Sequence, residues 1–156
     1  MIHIITDSTN DLDLDTITKH HIEVLPLYVN FSDESFKDGV DITTKELYEL
    51  VEKKNELPKT AAIPQHTFVE VFQAYVAAGD EILFTGISKQ MSRTYENAVL
   101  AAKEVDEKKI FIVDSMNLST GIGLLVLKAC KYRDQGFSAK EIAEALEKDN
   151  KRVLSQ

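Results

Sequence analysis

Glu81-Ile82-Leu83-Phe84-Thr85-Gly86-Ile87 is an almost unbroken apolar run. A strand with one wet face would alternate apolar and polar residues, whereas a run like this belongs to a strand covered on both faces, as in parallel sheets. Lys109-Ile110-Phe111-Ile112-Val113 has the same character, and Ile2-His3-Ile4-Ile5-Thr6 is a third, β-branched run. Helical patterns separate and follow them. Phe68, Val71, Phe72 and Tyr75 share one face of a helix over about 65–78. Further helices are expected from about Thr94 to Val105, Leu118 to Arg133 and Ser138 to Lys151. Strands alternating with helices predict a three-layer α/β domain: a mainly parallel sheet of about four strands flanked by helices, with Ile4, Leu83 and Phe111 in its central strands.

The remaining segments fit around this frame. Asp7-Ser8-Thr9-Asn10-Asp11 is a polar knot where the first strand gives way to a helix ending near His20, since short oxygen-bearing side chains satisfy a helix's first amides. Ile22 to Phe31 is expected as a second strand, with Pro26 marking an edge or a bulge. Thr43-Thr44-Lys45-Glu46 reads as a capping box that opens a helix to about Lys54. Pro58 and Pro64 bracket a loop.

The 156 residues suffice for one domain, 1–156, with a substantial core. Eighteen basic against 26 acidic side chains leave a net charge of −8, which argues against nucleic acid as a partner. Cys130 is the single cysteine, so neither an internal disulfide framework nor a Cys-rich zinc site is available. The N-terminus lacks the charged and apolar regions of a signal peptide, and no apolar run approaches the roughly 20 residues of a membrane span. A cytoplasmic setting is the expectation.

Polar sets close the three apolar strands: Asp7, Ser8 and Thr9; then Ser88, with Ser92 and Thr94; then Asp114 and Ser115. In a parallel sheet these ends lie on one side, beside helix N-termini, where ligands of open α/β sheets bind and where an anion is favoured. The other reading is that the same residues are only helix caps. Catalytic templates fit poorly. Gly121-Ile122-Gly123 lacks a third glycine and lies inside a helical pattern, no phosphate-cradling loop of the Walker type is present, and His3, His20, His21 and His66 have no metal-ligand spacing. His20 and His21 suit a helix C-terminus, and Cys130 sits among Leu124, Leu125, Leu127 and Ala129 as a buried, inert thiol. Asp7 and Asp114 could approach one another as a carboxylate pair, but buried caps are the default reading for both, and no metal and no catalytic residue is assigned.

Several segments, in order, resemble the DegV family. They are Ile4-Ile5-Thr6-Asp7-Ser8-Thr9-Asn10-Asp11-Leu12, Val24-Leu25-Pro26-Leu27, Asp38-Gly39-Val40-Asp41-Ile42, Pro58-Lys59-Thr60, Ile87-Ser88 with Ser92 and Thr94-Tyr95, and Ile112-Val113-Asp114-Ser115 with Ser119, Gly121 and Gly123. The resemblance implies a bacterial fatty-acid-binding protein without catalytic machinery or cofactor, the carrier subunit of fatty acid kinase. Its ligand would be one long-chain fatty acid. A fatty acid kinase catalytic subunit would phosphorylate the presented carboxylate to an acyl phosphate that feeds phospholipid synthesis. It further implies that the carboxylate is bound by Thr60 and Ser92. Arg93, beside Ser92, is a further candidate on its charge alone, the favoured alternative being a solvent-facing side chain or a pair with Glu96 three residues on. Phe68, Phe72, Phe84, Ile87, Leu100 and Leu124 are then candidates to line the tail, with core packing the favoured role of each taken singly. Arg93 stands where the family usually has glycine, and Ala61 and Ala62 where it has Ser and Gln. The family's second domain has no counterpart in these residues. Two other functions stay open: an enzyme acting on a small anionic substrate at the strand ends, and an isolated domain that binds nothing firmly.

Overall fold

The computed structural model describes residues 1–117 and 119–150. Four strands form the main sheet: β1 (Ile2–Asp7), β2 (Glu23–Leu25), β6 (Glu81–Gly86) and β7 (Ile110–Asp114). Their order is β2-β1-β6-β7, and every neighbouring pair is parallel, with Ile4 opposite Leu83 and Leu83 opposite Phe111. Successive side chains point to opposite faces, so each strand feeds two cores. Ile4, Leu83 and Val113 face α5 (Thr120–Asp134) and α6 (Ala139–Asp149), packing against Ile122, Leu125, Ile142 and Leu146. Ile5, Ile82 and Phe84 face α3 (Gln65–Ala77) and α4 (Thr94–Val105), packing against Phe68, Phe72, Ala98 and Ala101. The three-layer α/β architecture is as the apolar runs required.

One central assignment is corrected. Phe111 lies in β7, which stands at the sheet edge rather than in its centre. Helices α4 and α6 cover both faces of β7, so its composition is that of a central strand.

The polar knot after β1 does not open a helix directly. Asp11 takes a left-handed conformation (φ 62°), and the Asn10 side-chain oxygen accepts the Leu12 amide at 2.7 Å. Helix α1 (Leu14–Lys19) starts later, capped by Asp13, whose carboxylate accepts the Thr16 amide at 2.7 Å. His20 is its C-cap, and Arg133 donates to the His20 carbonyl at 3.0 Å. The expected helix limits Leu118 and Lys151 lie outside the described residues. Cys130 is buried in α5, and burial pushes its thiol up to about 11, which leaves it unreactive.

The expected strand from Ile22 to Phe31 is two strands. Pro26, without an amide to donate, separates edge strand β2 from β3 (Tyr28–Asn30), which joins a second, antiparallel sheet. That sheet has the order β4-β3-β5, with β4 (Ser35–Lys37) and β5 (Lys59–Ala61). Thus the expected loop between Pro58 and Pro64 contains a strand, since β3 offers Lys59–Ala61 a free edge. With α2 (Thr44–Lys54) these strands make a small lobe whose buried side chains, Val29, Phe31 and Ile42, belong to neither large cluster. Lys54 ties the lobe together, reaching Asp33 and Glu34 at 2.8 Å each and lying 5.6 Å above the Phe31 ring. The capping box of Thr43 and Glu46 is formed as read.

Candidate functional site

Because the main sheet is parallel, the C-terminal ends of β1, β6 and β7 open on one side of the molecule. Most polar residues there are occupied with backbone. Ser88 is buried, with its Oγ accepting the Gln90 amide at 3.2 Å. Asp114 Oδ1 accepts the amides of Lys89 (3.2 Å) and Met116 (3.1 Å), while Ser115 Oγ donates to the Asn117 carbonyl (3.1 Å) and accepts its amide (3.0 Å). Ser8 Oγ accepts the Leu27 amide at 3.0 Å, at the root of the lobe. Thr9 donates both its amide (2.9 Å) and its hydroxyl to Asp7 Oδ1. Asp7 is wholly buried; its Oδ2 accepts the Ile87 amide at 2.7 Å. Burial pushes the Asp7 carboxyl above the usual carboxylate range, against the lowering effect of these hydrogen bonds. Among the described residues, Asp7 and Asp114 form no cluster of metal-ligating groups.

The loop between β6 and α4 is different. Thr94, the first residue of α4, is fully buried, and its Oγ1 accepts the Ile63 amide at 3.3 Å. Ser92 Oγ lies 2.9 Å from that same Oγ1 and accepts the Thr94 amide at 3.2 Å. A hydroxyl has one proton and two lone pairs. The two hydroxyls share one hydrogen bond in which either oxygen can be the donor; where Thr94 donates, the Ser92 proton is left to donate outward. Ser92 is half-buried, beside the N-terminus of α4, where partial positive charge gathers. This arrangement offers a hydrogen bond to an anion.

Asn97 Nδ2 donates to the Ile63 carbonyl at 2.9 Å, so Thr94 and Asn97 together clamp Ile63 to α4. Thr60, exposed on β5 opposite Val29, stands three residues before that clamp. Arg93 is the N-cap of α4, with Nη2 3.2 Å from Glu96 Oε2 and its side chain 76% exposed. Lys89, Gln90, Met91, Ser92, Arg93 and Tyr95 border an open groove of about 590 Å3. Tyr95 lies under the Lys89 ammonium, 5.9 Å from its ring centre, and burial followed by Asp114 and Glu147 raises its hydroxyl's pKa.

The expected tail lining is placed elsewhere. Phe68 packs against Phe72 and Phe84, with ring centres 5.5 and 5.2 Å apart, and all three fill the layer between the sheet and α3 and α4. Ile87 packs against the opposite cluster, and Leu100 and Leu124 are exposed. None of the six borders the groove beside Ser92. Asn97 and Asn117 escaped the sequence reading, although asparagine beside Asp, Ser and Thr is a signal for side chains that bind the backbone of turns.

Fold and site together define an open α/β protein with a parallel sheet and polar side chains gathered at the strand ends. The chain belongs to the DegV family, an uncharacterised protein family whose sequence pattern matches residues 1–155. It is 39% identical over 145 residues to a DegV domain-containing protein of Clostridium perfringens, covering 93% of this chain and 52% of that one. A DegV domain-containing protein of Clostridium acetobutylicum is 40% identical over 141 residues, with 90% and 50% covered. The chain therefore spans about half the length of the curated relatives it matches. Among solved structures, it is similar to DegV of Bacillus subtilis, described as a fatty acid binding protein (TM-score 0.88, 29% identity, 96% of this chain and 54% of that one). It is also similar to a DegV family protein of Thermus thermophilus described for fatty acid binding (TM-score 0.86, 31% identity, 96% and 53% covered). No helix among the described residues is long and apolar enough to cross a membrane.

Proposed function

We propose that this chain binds a long-chain fatty acid, with the carboxylate held by Ser92 and Thr60 at the mouth of α4. The observation that carries this reading is the half-buried Ser92 hydroxyl at the N-terminus of α4, which accepts the Thr94 amide, lies 2.9 Å from Thr94 Oγ1 and borders the groove. The similar proteins described as fatty-acid binders support the ligand class. A tail supplies most of the affinity: at roughly 0.8 kcal/mol per buried methylene, about sixteen carbons give on the order of 12 kcal/mol before the costs of association. The groove at Ser92 is open, and Phe68, Phe72 and Phe84 pack in the core rather than along it. The role is that of a carrier in a reducing cytoplasm, without cofactor. A kinase subunit provides ATP; a carboxylate oxygen attacks the terminal phosphorus, the bond to the ADP oxygen breaks, and acyl phosphate leaves for phospholipid synthesis.

Lipid extraction and mass analysis of the purified protein test this. A stoichiometric long-chain fatty acid is expected. Turnover of a small soluble anion at the strand ends, or a protein that neither carries nor takes up fatty acid, would replace it.

A further inference from the structure

We propose that Asp7 is a positioning residue for the anion site: its buried carboxylate fixes the start of the β6–α4 loop and thereby the direction in which Ser92 donates. This rests on the reading of Ser92 as the carboxylate donor. Asp7 ends β1 and is wholly buried. Its Oδ2 accepts the Ile87 amide (2.7 Å), the first residue after β6, and its Oδ1 accepts the amide (2.9 Å) and hydroxyl of Thr9. The fit is close. A Cβ on Gly86 would stand 2.2 Å from Oδ2, so glycine at the end of β6 makes room for the carboxylate. From Ile87 the chain runs through Ser88, whose amide donates to the Asn117 carbonyl (3.1 Å) and whose carbonyl accepts the Met91 amide (3.0 Å), directly to Ser92. Asp7 is thus the side chain that ties the Ser92 loop to the central strand β1, while its neighbour Ser8 holds the root of the lobe that carries Thr60.

Two main-chain amides and a hydroxyl converge on Asp7, and only an ionised carboxylate accepts from all of them without offering a proton of its own. An amide in its place would turn NH2 toward either Ile87 or Thr9. The charged group whose field reaches Asp7 is Asp38, on the turn after β4, and it too favours protonation. The carboxylate therefore takes up a proton at a higher pH than a free aspartate, and the loop loosens as it does.

The test follows backbone amide resonances of the ligand-free chain from about pH 7 to pH 4, with palmitate affinity measured at about pH 7 for the parent and Asp7→Asn. Ile87 and the amides of Ser88 to Ser92 are expected to shift together, with a midpoint above that of an ordinary aspartate. Asp7→Asn should abolish that titration and weaken palmitate binding by about tenfold or more. Ile87 titrating without the rest of the loop, or palmitate binding unchanged in a folded Asp7→Asn, overturns the proposal. If Asp7→Asn does not fold, the parent's titration alone decides between these outcomes. A parent that binds no palmitate sinks the reading of Ser92 as a fatty-acid site, while the loop titration still reports on Asp7.

Discussion

Thr94 shows how a buried residue shapes the candidate site without facing the groove. Its hydroxyl stands between the Ile63 amide and Ser92 Oγ, so it anchors the segment after β5 and holds that segment beside Ser92. Thr94→Val keeps the shape and removes the hydroxyl, leaving the Ile63 amide unpaired at a cost of about 1–3 kcal/mol in chemical unfolding. Thr94→Ser should recover most of that loss together with fatty-acid binding; equal stability of the Val variant would show that the bond counts for little. Two carboxylates give opposite pH effects. His3 Nε2 lies 2.8 Å from Asp80, and this hydrogen bond holds the Asp80 carboxyl below 3.8. Its contribution is complete above 3.8 and is lost as pH falls through the lowered value. Asp7 is raised instead, so its ionised form carries a cost that acidification relieves between the raised value and 3.8. In denaturation midpoints over about pH 3 to 6, Asp80→Asn should flatten the acid loss of stability and Asp7→Asn should remove the opposing gain. At this scale the sequence was legible in part. Ser92 and Thr60 are marked by their motifs, but Thr94 acts through Ile63, a partner more than thirty residues away that no local pattern names.

Among the elements, α2 and β6 stand at opposite ends of cooperativity. Helix α2 buries no residue and is held by its capping box, by Asn55 in a left-handed C-cap (φ 52°) and by the Lys54 contacts. Thr43→Ala should therefore cost about 1 kcal/mol locally. It should speed hydrogen exchange in α2 and leave the unfolding of the main sheet unchanged; a matching drop in global stability would mean that the lobe and sheet unfold as one. Strand β6 is buried on both faces, and Phe84→Ala, which empties the space against Phe68, should cost about 3–5 kcal/mol globally. The periodic elements were readable because burial writes itself into spacing: β6, α3, α4 and the Thr43 capping box fall where the pattern puts them. The lobe was not, because β3, β4 and β5 are three residues each, too short for a period, and Pro26 disguises a change of sheet as a bulge.

Across the whole molecule, two helical layers seal the sheet, and the site gathers at the one edge where loops, rather than helices, finish the strands. The exposed apolar side chains Met91 and Met116 follow β6 and β7 at that edge, in a chain whose net charge is −8. The layered architecture was legible from a handful of apolar runs. Core packing was the favoured reading of Phe68, Phe72 and Phe84, but sequence alone does not separate it from a tail lining, since a phenylalanine facing a sheet and one facing a ligand leave the same mark. The proposed function turns on one contact, a fatty-acid carboxylate on Ser92 and Thr60. Palmitate labelled with 13C at its carboxyl carbon, titrated into the purified chain and its Ser92→Ala and Thr60→Ala variants, reads that contact by NMR. The account predicts a bound carboxyl resonance distinct from the free one, displaced in both variants, with affinity lower by about 1–3 kcal/mol for Ser92→Ala. A bound resonance indifferent to both substitutions would contradict it.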